Sequence, residues 1–345
     1  MCERRRLAKG PRYRLGAVLA TIGATLALLA ATAPVAAQGA PGSLSGLIVV
    51  PRARDLALVD PRTADTTPLP VGGSAGTPAG VAWSPSTRQL AVSVQSRQAG
   101  ERFGGADVLI LDAAGAPISS VDRDQPDVAL EAPAWLPDGE VVYERRPIGG
   151  ADTDSRIEAS LPDGSARRTL SVSGRLPGVS ADGSHLAFVQ PGGASGDQIV
   201  SLDLSSGEPI VLVDASVNGF AIFGQPRFSP DGQWVAFGAS GGPGPVAFAL
   251  FRPGLWAASL SASLHGPTWD VWLVRPDGSG LRQATAIPEG DDLNAAWSPD
   301  GSWLAAFGPP GLYIVPAFVA GPTTPISAGG SGQPEWVPSL VGTDH

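Results

Sequence analysis

Short apolar runs separated by glycine- and proline-rich breaks set the pattern of this chain from about residue 46 to residue 340. Runs such as Leu186-Ala187-Phe188-Val189 and Trp234-Val235-Ala236-Phe237 are short and apolar at consecutive positions. That is the pattern of strands covered on both faces. One segment recurs: an aromatic or apolar lead residue, a tight turn, then an apolar strand. It reads VAWSPSTRQLAVSV (81–94), PAWLPDGEVVYE (133–144), PGVSADGSHLAFVQ (177–190), PRFSPDGQWVAFGA (226–239) and AAWSPDGSWLAAFG (295–308). PEWVPSL (334–340) is a sixth, truncated copy. The lead residues are Trp83, Trp135, Val179, Phe228, Trp297 and Trp336, spaced 39 to 69 residues apart.

The turn has a physical basis. In Ser229-Pro230-Asp231-Gly232, proline presets φ at the first turn position. The aspartate bonds downstream backbone, and the glycine accepts the positive φ that closes the hairpin. Each copy is therefore one β-hairpin. A second hairpin follows most copies, at 107–121, 156–170, 197–213 and 270–285, with a looser one at 312–327. Two hairpins make a four-stranded meander. One such sheet cannot bury both faces alone, so copies must stack, and radial stacking of four-stranded units is a β-propeller. The sixth copy has one strand only. The runs 46–50, 55–60 and 66–70 supply the missing three. The expected fold is thus all-β: a six-bladed propeller of four-stranded blades, closed by pairing of N- and C-terminal strands in one blade.

The W-S-P-D-G-x-x-[LIV]-A-F segment, clearest from Trp297 to Phe307, pairs with D-[IV]-W-x-x-x-x-D-G, clearest from Asp270. Together they resemble the TolB-like propeller repeat over roughly residues 46–340. The resemblance implies an exported interaction module, or the substrate-filtering propeller of a serine peptidase. The chain leaves no room for the extra α/β domain of TolB itself, so the translocation role is not carried over. Nor is a peptidase domain expected after Leu340. The Gly-His and Trp-Asp signatures of WD-repeat propellers are absent.

The first 37 residues break the pattern. Arg4, Arg5, Arg6, Lys9, Arg12 and Arg14 precede an apolar stretch from Leu15 to Ala33, and Val35 and Ala37 suit a small-residue cleavage site. This is the order of a secretory signal, with cleavage expected after Ala37. An uncleaved anchor is the alternative. Arg4-Arg5-Arg6 partly resembles a twin-arginine signal. The organisation expected is a signal over 1–37, a linker over 38–45, the propeller over 46–340 and a tail over 341–345.

Charge narrows the partners. The whole chain has net charge −9; removing residues 1–37 takes six of 23 basic and one of 32 acidic side chains, leaving −14. Such a surface disfavours nucleic acid and anionic lipid. Membrane contact is expected only through the signal or anchor. Cys2 is the only cysteine, so the exported chain has no disulfide, thiol nucleophile or cysteine-ligated metal.

Candidate chemistry is sparse. His185, His265 and His345 read as solvated, and Gly72 to Gly76 matches G-x-S-x-G without the strand–turn–helix context of a nucleophile. Asp122, Asp124, Asp127 and Glu131, or Asp152, Asp154 and Glu158, are acidic groups that would suit Ca²⁺, against the alternative of solvated loops. No catalytic or metal-ligating residue is assigned and no cofactor is expected beyond that Ca²⁺. Long loops at 95–106, 145–156, 214–225, 239–268 and 286–294 mark one face as functional. On it, Arg52, Arg54, Arg97, Arg102, Arg145, Arg146 and Arg156 are expected to bind an anionic group through their planar forks. The alternative is neutralisation by Asp122, Asp124, Glu131, Asp152 and Asp154 in surface salt bridges. The apolar insert 239–268, with Phe248, Phe251 and Trp256, is a candidate partner surface. The expected function is non-catalytic binding of an envelope or extracellular protein or an anionic small ligand, by a monomer. A hydrolase or lyase with carboxylates around the central channel is the first alternative, and a strongly perturbed carboxylate there would favour it. An envelope sensor or assembly module docking a membrane protein through the insert is the second.

Overall fold

The computed structural model describes residues 44–72, 76–97, 103–192, 196–243, 268–287, 289–319 and 325–338. The signal segment, Arg102, the centre of the Gly72–Gly76 motif, His265, His345, and Phe248, Phe251 and Trp256 of the insert lie outside the described residues.

The recurring turn folds as its chemistry requires. The Ser229 hydroxyl donates to Asp231 at 2.5 Å and accepts from the Trp234 amide at 3.0 Å. Asp231 accepts from the Gln233 amide at 3.0 Å, and Gly232 sits at φ 69°. Ser180 with Asp182 and His185, and Ser298 with Asp300 and Trp303, repeat the arrangement. One serine hydroxyl thus ties both arms of each hairpin.

The strands follow in antiparallel meanders. β1 (Leu47–Pro51), β2 (Leu56–Val59) and β3 (Thr66–Leu69) come first. Next are β4 (Thr77–Ser84), β5 (Gln89–Arg97), β6 (Phe103–Asp112) and β7 (Pro117–Val121). Then come β8 (Val128–Trp135), β9 (Val141–Pro147), β10 (Arg156–Ser160) and β11 (Arg168–Ser171). One parallel pair, Ala106 with Ala129, joins those two meanders. β12 (Arg175–Val179), β13 (His185–Gln190), β14 (Gln198–Asp203) and β15 (Pro209–Asp214) form another. A one-turn helix, α1 (Ala215–Asn218), capped by Asp214, leads onward. β16 (Phe220–Phe223) and β17 (Arg227–Phe228) both pair with β18 (Val235–Gly241), followed by β19 (Trp269–Val274) and β20 (Arg282–Gln283). β21 (Asn294–Trp297), β22 (Trp303–Gly308), β23 (Gly311–Pro316) and β24 (Pro325–Ser327) are the last full meander.

β25 (Glu335–Val337) returns to the start. It pairs with β1, setting Leu47 opposite Val337, Ile48 opposite Trp336 and Val49 opposite Glu335, so the sheet order is β25-β1-β2-β3. The first strands of successive meanders, β4, β8, β12, β17, β21 and β25, each lie against the next, and β25 lies against β4. The core forms slabs between neighbouring sheets. Val49, Leu56, Trp83 and Leu90 fill one slab; Ile48, Val50, Phe307 and Trp336 fill another between the last meander and the first. Both faces of a sheet are covered in this way, which explains strands apolar at every position.

Two local expectations change. The 95–106 stretch is largely strand, because the β5–β6 register continues through Gln95–Ala106 to Arg97–Phe103. The 214–225 stretch is likewise occupied by α1 and β16.

Candidate functional site

The first strands enclose a channel with two chemically different mouths. At the turn end each of these strands finishes on its lead residue or one residue past it. Trp83, Trp135, Val179, Phe228, Trp297 and Trp336 all line one cavity of about 410 Å³, rimmed by turn prolines including Pro230 and Pro299. The indoles are pinned by backbone carbonyls. Trp135 Nε1 donates to Ala82 at 3.1 Å, Trp297 to Arg227 at 2.9 Å and Trp336 to Ser45 at 2.8 Å. The first two of these bonds cross from one meander to its predecessor. The Trp83 Nε1 is buried and has no partner among the described residues.

One cation reaches across this channel. Arg227 on β17 bonds Glu335 on β25 at 3.1 Å and the Val81 carbonyl on β4 at 3.2 Å. Glu335 keeps about 20% of its side chain exposed, and it lines the cavity. Burial pushes its carboxyl up to about 7, against the opposing pull of Arg227.

The opposite mouth is polar. Glu131, Glu144, Asp292, Gln95, Gln333 and Arg52 line a second cavity of about 510 Å³. Glu131 and Glu144 are cross-strand partners on β8 and β9. Glu144 is only 3% exposed and accepts from Ser155 Oγ at 2.8 Å and the Leu176 amide at 3.1 Å. Burial, then the like charge of Glu131, raise its carboxyl to about 7. Burial, then Asp291, raise Asp292 as well. Three non-glycine residues in left-handed conformation line this mouth: Ala132 at φ 50°, Leu176 at 56° and Asp292 at 43°. Each is a costly backbone state held by its surroundings; the Glu144 bond to the Leu176 amide is one such restraint.

Comparison with known proteins agrees with this architecture. TolB from Acinetobacter baumannii superposes with a TM-score of 0.56 at 16% identity, over 87% of this chain and 68% of that one. A protein assigned as TolB in Agrobacterium tumefaciens gives 0.51 at 20% identity, over 81% and 80%. The fold is a TolB-like β-propeller. A chain of the nidogen–laminin complex gives 0.61 at 10% identity, over 85% of this chain and 99% of that one. No protein-family model matches the sequence, and no curated protein matches it either.

On this propeller the arginines read from the sequence are engaged locally. Arg145 pairs with Asp124 at 2.8 Å, Arg146 with Glu131 at 2.7 Å and Arg156 with Glu158 at 2.6 Å. Arg52 donates to the carbonyls of Ala328 and Gly329. Arg54 is exposed, and Arg97 ends β5. Arg52 and the Arg146 partner Glu131 reach the polar mouth. The same ion pairs occupy Asp124 and Glu131 of one acidic group and Glu158 of the other. Among the described residues no three acidic or histidine side chains gather closely enough to hold a metal ion. His185 bonds Ser184 Oγ through Nδ1 at 2.6 Å. Sequence reading named the lead residues but not Arg227, Glu335 or Glu144; Arg227 and Glu335 stand directly before the lead residues Phe228 and Trp336, where the other copies carry alanine or glycine, and that contrast was the available signal.

Proposed function

We propose that the chain is an exported binding module: a closed six-bladed β-propeller without catalytic function whose main site is the aromatic mouth. The observation that carries this reading is the convergence of six lead residues on one apolar cavity with an unpaired indole N–H and an arginine–carboxylate pair. Apolar concavities with few polar groups suit partner side chains or small ligands. Closure is supported by the β25–β1 pairing and by the first strands meeting in a cycle. Export rests on the basic, apolar and small-residue order of residues 1–37. No helix among the described residues is long and apolar enough to cross a membrane. The polar face, with Arg52 and Arg54, is a second surface for an anionic group of a partner; Arg102 of the same sequence group lies outside the described residues.

A second reading is favoured by Glu144. A carboxyl raised to about 7 beside an arginine-bound Glu131 has the character of an acid–base pair in a hydrolase or lyase. The 3% exposure of Glu144 and its bonds to Ser155 and Leu176 fit an internal brace better.

The test uses residues 38–345 as bait in the envelope fraction of the source cell. Pro230→Arg with Pro299→Arg alters the exposed rim of the aromatic mouth; Arg54→Glu alters the polar face. The parent and Arg54→Glu should retain one partner that the rim variant loses, with all three melting alike. Retention by the rim variant and loss by Arg54→Glu would move the site to the polar face.

A further inference from the structure

The meander of β16 to β20 carries two arginines, Arg275 and Arg282, with no carboxylate at ion-pair distance among the described residues. The register sets Val235 opposite Val274 and Leu273 opposite Arg282. One step further, Trp234 faces Arg275. Strand alternation then puts Trp234, Arg275 and Arg282 on one sheet face. The side chains converge accordingly. The Arg275 guanidinium lies 4.6 Å from the Trp234 ring centre, and that of Arg282 lies 5.0 Å from the same ring. Arg282 also lies 4.9 Å from Phe318, which tilts against Trp234 at 5.8 Å from the neighbouring meander.

Two like charges on one indole are costly unless something offsets them. Arg145, Arg146 and Arg156 each have a carboxylate within 3 Å. Arg275 and Arg282 have no ion pair among the described residues. Arg282 donates one bond, to the Ala317 carbonyl at 3.3 Å. Asp277 shares the turn with Arg275, but its carboxylate accepts from the Ser279 amide at 2.9 Å instead of pairing. Burial, then the charge of Arg275, hold Arg282 below its ordinary value. In a chain of net charge −9 this is a local excess of positive charge.

We propose that Arg275 and Arg282 form an oxyanion site, which takes a carboxylate or phosphate group between their guanidinium forks. Contact with the Trp234 and Phe318 rings holds the guanidiniums in place, and Arg282 Nε is buried without a partner among the described residues. A planar fork held in advance loses little entropy on pairing with a carboxylate or phosphate. An anion there also relieves the repulsion between the two cations. The site lies outside the aromatic mouth and does not depend on it, although Phe318 is 6.2 Å from Trp297 of that mouth.

Isothermal titration of the protein from Gln38 onward, in chloride buffer of low ionic strength, tests this with inorganic phosphate in one arm and acetate in the other. Saturable binding of at least one anion is expected, and which one binds assigns the group. Arg275→Gln with Arg282→Gln should weaken that binding more than tenfold. Arg275 is exposed, so Arg275→Gln alone, which leaves the half-buried Arg282 in place, should keep the parent circular dichroism and still bind several-fold more weakly. Lysine at both positions keeps the charge but loses the fork, and should restore only part of the affinity. Absence of saturable binding in both arms, or equal binding by parent and Arg275→Gln, overturns the proposal.

Discussion

The two mouths of the channel are made by opposite ends of the same strands, yet one is aromatic and the other is lined by carboxylates. At the turn end each strand stops on a repeated motif, so equivalent residues from successive meanders meet: Trp83, Trp135, Phe228, Trp297 and Trp336 share one cavity. At the other end the strands begin in bulges, between Pro78 and Gly80 on β4, Glu131 and Ala134 on β8, and Arg175 and Gly178 on β12. A bulge adds a residue and re-aims its neighbours. Repetition therefore controls one mouth and local irregularity the other. A repeat scaffold can keep one face constant while the other diverges.

Removal of residues 333–345 should have the largest effect on both mouths. It deletes β25, exposes the β1 edge and takes Trp336 from the aromatic mouth and Gln333 from the polar one. The expected outcome in size-exclusion chromatography is aggregate in place of monomer. A stable monomer would break the link between the mouths. Next in size, Trp297→Ala should cost about 3–5 kcal/mol in denaturant unfolding, as for a buried aromatic. Trp297→Phe keeps an aromatic ring but gives up part of the indole packing as well as the bond to the Arg227 carbonyl, so about 1–3 kcal/mol is expected.

The polar mouth should answer to pH through Glu144. The Glu144 carboxyl rises from 4.5 to about 7 on folding, so the folded state holds the extra proton between those values. Stability from this group is therefore present in acid and falls as pH rises from 4.5 to about 7, by on the order of 3 kcal/mol. Glu144→Gln should remove this share of the slope and leave that of Glu335, raised to about 7 in the aromatic mouth, in place. An equal slope in parent and variant would contradict the assignment.

The difference between the mouths also explains what was legible in the sequence. The lead residues, the Ser-Pro-Asp-Gly turns and the pairing of the terminal strands are recurring local signals, and Ile48 indeed faces Trp336. Phe228 was readable as a lead residue, but not the break at Gly224 to Pro226 that separates β16 from β17. Arg227 gives no such signal: its partners Val81 and Glu335 lie 146 and 108 positions away and meet it only across the channel. The arginines at 145, 146 and 156 were recognisable as a group, and Asp124 and Glu131 as carboxylates able to neutralise them; which carboxylate meets which arginine, and that Glu158 takes Arg156, depends on register. Arg275 and Arg282 were passed over because their aromatic platform is assembled from two meanders.

Removal of the cross-channel arginine has a small effect that depends on pH. Arg227→Gln leaves Glu335 without its cation, and a carboxyl already at about 7 takes up a proton readily. The loss should be near zero at pH 5 and about 1–2 kcal/mol at pH 8, read from unfolding midpoints.

Both mouths exist only if the two ends of the chain complete one sheet. Leu47 and Val337 are register partners on β1 and β25, and Cys2 is the only cysteine in the sequence. The protein from Gln38 onward carrying Leu47→Cys and Val337→Cys therefore has one possible disulfide. Oxidation should yield an intramolecular bond in a monomer, with unfolding stability raised by up to about 5 kcal/mol and restored to the parent value on reduction. Only free thiols or disulfide-linked dimers after oxidation would show that β25 does not close the ring.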